Sequence, residues 1–461
     1  MFSKLKSELV NNRNIKIVIG IAISTRLILG ILIFFTGFQM IGDDAFLVSE
    51  SVSYTRVAHN IEQMGEFTTL GKGYPSAFRT PMYPVMLAIN YMLFGDSHTV
   101  IILLQIIFSV LTALCVFLIA RLVVLERIAL IAGCGYSFLL SPLIFTYIIG
   151  TETTFSFLLV LFVLFCVKLI IEPKRLQWGL LAGVTLGLAV LTRPIAVYLI
   201  SVPVIILAWR YWPVYKFVFS KSILIIGCYV LVLSPWLIRN HIALGYPGLS
   251  TITGSNLWFY YYGSLEAFRT GSERNEIITE LMSNDMCEGC GVYVESSFEN
   301  SKELTRKGLA ELIQDPFRFS FLVLRGVAFQ LIGYPGQQLK HQLNIPYEGL
   351  NVLLPVTNLS TIGFLERSIA NIGRKVDVVI VFALQQLPLI ILTLAGFIRS
   401  WRYPIVRGIS IILLVIILYL NILPGVMAFP RFVIPTLPLA CVLASFALTG
   451  NHHVIEEIKD E

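Results

Sequence analysis

The dominant constraint on this sequence is a succession of apolar runs, most near 20 residues long and ended by basic residues or a proline. A helix of about 20 residues crosses roughly 30 Å of hydrocarbon at 1.5 Å per residue. Such runs fall at about 17–39, 98–120, 128–149, 153–171, 178–192, 195–209, 222–239, 376–398, 408–428 and 432–449. The stretch 178–209 is too long for one crossing. Arg193-Pro194 divides it, since proline disfavours helix at the residue before it, so it reads as a hairpin with Arg193 at its tip. Composition agrees: the chain is 56% hydrophobic and 13% charged, against about 25% charged in a soluble protein. That little charge excludes a cytosolic enzyme, a disordered chain, a disulfide-stapled secreted domain and a nucleic-acid binder. The expected fold class is an all-α polytopic membrane protein with about ten (nine to twelve) transmembrane helices and two large outer loops.

Orientation follows from the basic residues at the span ends. Lys4, Lys6, Arg13 and Lys16 precede the first span, with no cleavage site after it, so that span is retained. Arg121 and Arg127, then Lys168, Lys174 and Arg175, then Arg210, Lys216 and Lys221, then Arg399, Arg402 and Arg407 fall on the same side. By the positive-inside rule that side is cytoplasmic, which also accounts for the net charge of +6. Both termini are then inside, and about 39–97 and 241–375 lie outside. The chain divides into an N-terminal transmembrane module (1–240) holding a catalytic first outer loop (about 40–97), an outer region (241–375), and C-terminal transmembrane helices (376–461). Within the outer region, 317–333 is apolar but contains Arg318 and Arg325; it reads as an interfacial helix or as an extra span partnered by 350–364. Outer segments this long point to work done at the outer surface.

Five cysteines (Cys115, Cys134, Cys166, Cys228, Cys441) lie in apolar runs, where they pack as small hydrophobes. Cys287 and Cys290 lie in a polar segment, open to a disulfide, two free thiols or a metal; one such pair is too few for a tetrahedral zinc site. No phosphate-binding glycine loop, zinc-hydrolase motif or serine-hydrolase elbow occurs. No cofactor or metal is expected, with a divalent cation left open. Candidate chemistry gathers at the outer ends of the spans. Asp43, Asp44 and Glu50 follow the first span, and each could be a solvated boundary acid or a general base beside the membrane. Glu152 heads a span, where an intramembrane acid suggests function and a helix N-terminus favours an acid electrostatically. Arg193, Arg239 and Arg431 stand at one membrane level, placed either to snorkel or to hold a lipid phosphate by charge-assisted bonds. Arg26, inside the first span, reads as a packing or headgroup residue rather than a catalytic one.

The order of motifs carries a resemblance. Glu50 stands four residues before Tyr54 and is followed by Ala58, Gly65, Arg79-Thr80-Pro81-Met82-Tyr83-Pro84 and Phe94-Gly95. Then come Glu152, the run Gly187 to Pro194, Pro235-Trp236-Leu237-Ile238-Arg239-Asn240, Gly254 to Trp258, Asp315-Pro316, and Arg431-Phe432 with Pro435. This resembles the GT-C membrane glycosyltransferases, closest to the bacterial branch related to protein O-mannosyltransferases and the lipid A aminoarabinose transferase. The resemblance implies a polyprenyl-phosphate sugar as donor and a first-loop carboxylate as the catalytic residue. It matches that acid to Glu50, where relatives typically have Asp, with Asp44 and Asp43 as alternatives and Glu152 as a supporting acid. Tyr54 and Arg79 are then substrate-loop residues; Arg79 stands near where some relatives carry an acid.

The chemistry is consistent with this. A donor outside the membrane must arrive on a lipid, and a sugar phosphate already carries a fair leaving group. One carboxylate activating an acceptor hydroxyl then suffices, whereas glycoside hydrolysis commonly uses two. The expected function is transfer of a sugar from a polyprenyl-phosphate donor to a lipid, glycan or protein acceptor on the outer side of the cytoplasmic membrane. The alternative is a transporter or flippase of a polyprenyl-linked saccharide. Membrane lipids are expected partners; nucleic acid is not.

Overall fold

The computed structural model describes residues 12–35, 51–69, 71–284, 297–333, 380–427 and 429–449. These are helical, with no β-strand among the described residues. Seven helices among them are long and apolar enough to cross a membrane, and a bent pair makes an eighth. They are α1 (Arg13–Phe35), α4 (Thr99–Arg121), the pair α5 (Glu126–Ser137) and α6 (Leu140–Thr146), α7 (Thr151–Ile171), α10 (Tyr215–Leu244), α15 (Leu387–Ser400, with the π-helical Phe382–Gln386 before it), α16 (Pro404–Ile422) and α17 (Leu437–Ala447, after the 3-10 segment Pro430–Thr436). The two halves of the expected hairpin are the shorter apolar helices α8 (Leu176–Thr192) and α9 (Ser201–Tyr211, led by the 3-10 segment Pro194–Ile200). Arg193 between them is extended, as its place before Pro194 demands.

Two span boundaries differ from expectation. The run 128–149 is not one straight helix: α5 and α6 meet at a 55° bend. Pro142 explains it, because its ring would clash with the carbonyl of Phe138 if the helix ran through. Carbonyls along the broken segment bond side chains instead. Ser137 O accepts from Arg26 at 3.0 Å and Phe138 O from Gln385 at 3.2 Å. The other difference is α10, which runs past both ends of the expected 222–239 and stops at Gly245, in the left-handed region that glycine tolerates. Arg239 is therefore inside the helix. Pro235 lies within it too, and Ser234 Oγ bonds Leu231 O, the carbonyl the proline leaves unpaired.

The expected loops hold helices as well. The first outer segment forms α2 (Ser51–Met64) and α3 (Met82–Phe94), packed through Tyr54 on Tyr83 and His59 on Tyr91. The second contains α11 (Gly263–Thr270), α12 (Arg274–Asn284), α13 (Phe298–Gln314) and α14 (Pro316–Ile332). The segment read as an interfacial helix or an extra span forms α14, whose 17 residues pack by Leu322 with Leu265, Leu312 and Val426. Gly326 lies so close to Gly425 that a side chain there would meet its carbonyl. Asp315 caps α14. Burial pushes its carboxyl up, but hydrogen bonds from Arg318 and Arg269 together with the Arg318 charge outweigh this and hold it below the usual range. The partner span proposed at 350–364, and Cys287 and Cys290, lie outside the described residues. The other five cysteines are free and sit in helices.

The two ends of the bundle differ. At one, Asn12 and Arg121 both reach Glu126, and Val123 and Val124 line a small void with Arg399, Tyr403 and Thr449. This is the end bearing the basic clusters. At the other, the two outer segments meet each other, the end of α8 and the chain just ahead of α7.

Helix α8 approaches α10 through a stripe of glycines. A Cβ on Gly179 would lie 2.5 Å from Ile225 Cδ1, one on Gly183 2.7 Å from Ile225 O, and one on Gly187 2.8 Å from Val232 Cβ. Small residues at four-residue spacing let membrane helices close to backbone contact. Gly183→Leu, pressed against backbone, is expected to cost about 1–3 kcal/mol and to lower the thermal unfolding midpoint in detergent. Gly227→Ala, where nothing lies within 4 Å, is expected to leave the midpoint unchanged. Equal midpoints for the two variants would show that the stripe is not a packing seam.

Candidate active site

The site is built around five consecutive residues of the first outer segment, Ser76 to Thr80. Each ties a different part of the chain. Ser76 O accepts from Arg239 Nη1 at 2.8 Å, Ala77 O from Thr251 N at 3.1 Å, and Phe78 O from Ser250 Oγ at 2.7 Å. Arg79 donates to Ser53 Oγ at 3.0 Å and Tyr54 OH at 3.3 Å, and Thr80 Oγ1 donates to Thr192 O at 3.0 Å. A segment without regular structure is thus held by the hydrogen bonds a helix would otherwise supply. Four steps of extended chain reach at most about 14 Å. The carbonyl gripped by Arg239 and the threonine beside Arg193 therefore belong to one neighbourhood.

Glu152 and Arg193 meet directly. Arg193 Nη2 lies 2.5 Å from Glu152 Oε1, and its Nε donates to Thr151 Oγ1 at 2.6 Å. The side chains are 4% and 15% exposed, so this is a buried, charge-assisted pair. Gly150 leaves the space the carboxylate fills: a Cβ there would stand 2.6 Å from Glu152 Oε2. Oriented by Glu152 and Thr151, Arg193 retains N–H groups that neither partner takes, since a guanidinium carries five.

Arg239 is spent on backbone. Besides Ser76 O it bonds Phe67 O at 2.8 Å and Asn240 Oδ1 at 2.9 Å, and its guanidinium lies over Phe67 and Trp236. It clamps the first outer segment. Arg431 lies over Phe429 and Phe432, on the 3-10 segment that packs by Ile434 on Ile144, Phe145 and Ile148, just ahead of Glu152. Arg79 stacks on Tyr54 at 4.6 Å, so these two substrate-loop candidates form one unit. Asp43, Asp44 and Glu50 lie outside the described residues. Ser51, the next residue after Glu50, donates its hydroxyl to Ile149 O at 2.5 Å.

Sequence reasoning passed over four side chains that build this site. Thr151 left no signal among many threonines, and Thr80 lay inside a quoted motif without a role of its own. Tyr83 lay inside a quoted motif, and Gln105 was an amide inside an apolar run, which intramembrane polarity should have flagged. Arg26 is fully buried and bonds Ser109, Thr25 and the carbonyls of Ala22 and Ser137, which supports its packing reading over the headgroup one. Among the described residues no cluster of three His, Cys, Asp or Glu could hold a metal.

Residues 78–238 match the family of dolichyl-phosphate-mannose-protein mannosyltransferases. The matched segment contains Arg79, Thr80, Glu152 and Arg193 and ends one residue before Arg239. Over that segment the chain is similar to this family. It also resembles solved structures. One is the archaeal oligosaccharyltransferase AglB from Archaeoglobus fulgidus, in complex with an inhibitory peptide and a dolichol-phosphate: 15% identity, 93% of this chain and 50% of that chain covered, TM-score 0.48. Another is ArnT from Cupriavidus metallidurans bound to undecaprenyl phosphate: 12% identity, 92% and 77% covered, TM-score 0.39. The chain spans about half the length of the archaeal protein. At such TM-scores these likenesses decide nothing, and the family match covers residues 78–238 alone. No curated protein matches the sequence.

Removing one partner of a buried ion pair typically costs about 3–5 kcal/mol, because it strands the other charge. Glu152→Gln and Arg193→Met are each expected to lower the unfolding midpoint clearly. The double variant should lose less than the sum of the two. Strict additivity in a double-mutant cycle would show that the two groups do not act as a pair.

Proposed function

We propose that this protein is a glycosyltransferase that moves a sugar from a polyprenyl-phosphate donor to a hydroxyl of a lipid, glycan or protein acceptor, at the outer face of the cytoplasmic membrane. The observation that carries the reading is the Ser76–Thr80 knot. It gathers Arg79, Arg193 and Arg239 beside the buried Glu152, at the end of the bundle away from the basic clusters. The family match covers Arg79, Thr80, Glu152 and Arg193 of this region, and its description names a phosphate-linked sugar on a polyprenyl carrier. With the basic end cytoplasmic, the knot faces outward.

In the proposed reaction the acceptor oxygen bonds to the anomeric carbon as the bond from that carbon to the phosphate oxygen breaks. The electron pair leaves with polyprenyl phosphate, and the acceptor proton passes to a carboxylate. Glu50 is the first choice for that base, with Asp44 and Asp43 next; Ser51, bonded to Ile149 O three residues before Glu152, ties the chain beside Glu50 to the site. Glu152 is too closely engaged by Arg193 to be the first choice and instead orients that guanidinium. Arg193 then offers its remaining N–H groups to the departing phosphate, a preorganised donor of the kind that stabilises developing charge. Arg431 is proposed as a second cation there, and Arg239 as the clamp that holds the loop. The transporter reading gains no support: the intramembrane polar groups Arg26, Gln105 and Ser109 are bonded within the packed core.

Purified protein incubated with polyprenyl-phosphate sugars is expected to release polyprenyl phosphate. Loss of a general base costs about 10²–10⁴ in rate, so one of Glu50→Gln, Asp44→Asn or Asp43→Asn should abolish release with donor binding retained. If all three keep near-normal transfer, the first-loop base is wrong. For orientation, a cysteine replacing Lys72 in a background lacking native cysteines should label from outside intact cells, and one replacing Arg402 should not. The reverse pattern would place the site on the cytoplasmic face.

A further inference from the structure

Gln105 is a fully buried amide in the middle of an otherwise apolar stretch of α4. Its Nε2 donates to Thr146 O and to Ile148 O, both at 2.9 Å, and its Oε1 accepts from Tyr83 OH at 2.8 Å. Both amide N–H groups and the amide oxygen are therefore used. The orientation is unique, since a flipped amide would set its oxygen against two carbonyls. These three bonds join α4 to the end of the broken helix and to α3. From Ile148 the chain runs directly into Gly150 and Glu152. From Tyr83, also fully buried, contact passes to Tyr54 (ring centroids 5.5 Å apart, edge to face) and so to Arg79. The amide thus sits between the two halves of the site, Glu152–Arg193 on one side and Tyr54–Arg79 on the other.

We propose that Gln105, acting through Tyr83, is a positioning residue for the sugar transfer: it sets the distance between the first-loop half of the site and the Glu152–Arg193 half. The inference rests on the reading given under Proposed function. It does not follow from fold stability alone. The two carbonyls need a donor, but the Tyr83 hydroxyl adds nothing to their satisfaction; its place on the amide oxygen matters for where α3 stands. Reacting groups tolerate little displacement, and a shift of about 1 Å can cost roughly 100-fold in rate.

The test compares Tyr83→Phe, Gln105→Leu and the double variant, with polyprenyl phosphate release as the assay. Tyr83→Phe removes the link to α3 and leaves both carbonyls bonded. It is expected to lower kcat about 10–100-fold, with KM for the donor close to wild type and a thermal midpoint lowered less than by Gln105→Leu, since it leaves only the amide oxygen unpaired. Gln105→Leu should lower kcat at least as much and also cost stability. If the hydroxyl acts through the amide, the double variant is no slower than Gln105→Leu alone. A wild-type kcat for Tyr83→Phe, or a double variant slowed by the product of the two single effects, overturns the proposal. If wild-type protein releases no polyprenyl phosphate from any donor, the functional reading fails by itself. The positioning claim is then judged by hydrogen exchange: Tyr83→Phe should speed exchange in both 76–83 and 146–152, and unchanged protection of either segment overturns it.

Discussion

A helix that breaks inside a hydrocarbon layer exposes carbonyl groups that no water can reach, and this constraint organises the molecule. Each unsatisfied group there costs several kcal/mol, so broken helices occur where neighbouring protein supplies donors. The break between α5 and α6 is served from every side. Arg26 of α1 takes Ser137 O, Gln385 takes Phe138 O, Thr153 of α7 takes Phe145 O, Gln105 of α4 takes Thr146 O and Ile148 O, and Ser51 of α2 takes Ile149 O. Five elements are thereby referred to one segment, and that segment delivers Glu152. Arg26 shows how strict the requirement is. A guanidinium in a membrane interior is costly, and here it is tolerated because carbonyls and hydroxyls surround it.

The Ser76–Thr80 knot, outside the spanning helices, solves the same problem. Residues 76–80 form no helix, and their carbonyls are claimed one after another by Arg239, Thr251 and Ser250. Because the donors come from the end of α10 and the segment after it, the first outer segment and the second outer region are held to one another rather than independently. Arg239 is the strongest of these donors, and its position well inside α10 gives it a rigid mount. An arginine read from sequence as a phosphate ligand does its visible work on peptide oxygens, which accept from guanidinium as phosphate does.

What the sequence reveals follows from the range of each signal. Long apolar runs are local and strong, so the apolar segments and the end bearing the basic residues were all legible. So was the Arg193-Pro194 tip, because a proline acts on the residue next to it. Pro142 obeys the same steric rule, but its effect falls four residues upstream inside an unbroken apolar run, and the bend stayed hidden. Glu152 and Arg193 were each conspicuous as charges at a membrane boundary. Their pairing across 41 residues was not, because no local pattern encodes a contact between the head of one helix and the end of the next. Gln105 was the opposite case: uncharged, alone and surrounded by aliphatic residues, it carried no weight until its three partners were seen. Asp43, Asp44 and Glu50 remain readings of the sequence and its family resemblance alone.

The Glu152–Arg193 pair also bears on why a lipid phosphate would approach at all. A free guanidinium at that depth would draw any headgroup anion and hold it. A free carboxylate would repel the substrate. Joined at 2.5 Å, they present no net charge but a fixed set of oriented N–H dipoles, and orientation is what a developing phosphate charge responds to. Thr151 takes Nε at 2.6 Å and so holds the guanidinium at a second nitrogen. In the proposed reaction, this arrangement would keep ground-state attraction for bystander lipids low while holding donors in place for the departing phosphate. The carboxylate in this arrangement serves the arginine rather than the acceptor, which is why the proton-accepting role is assigned to the acids of the first outer segment.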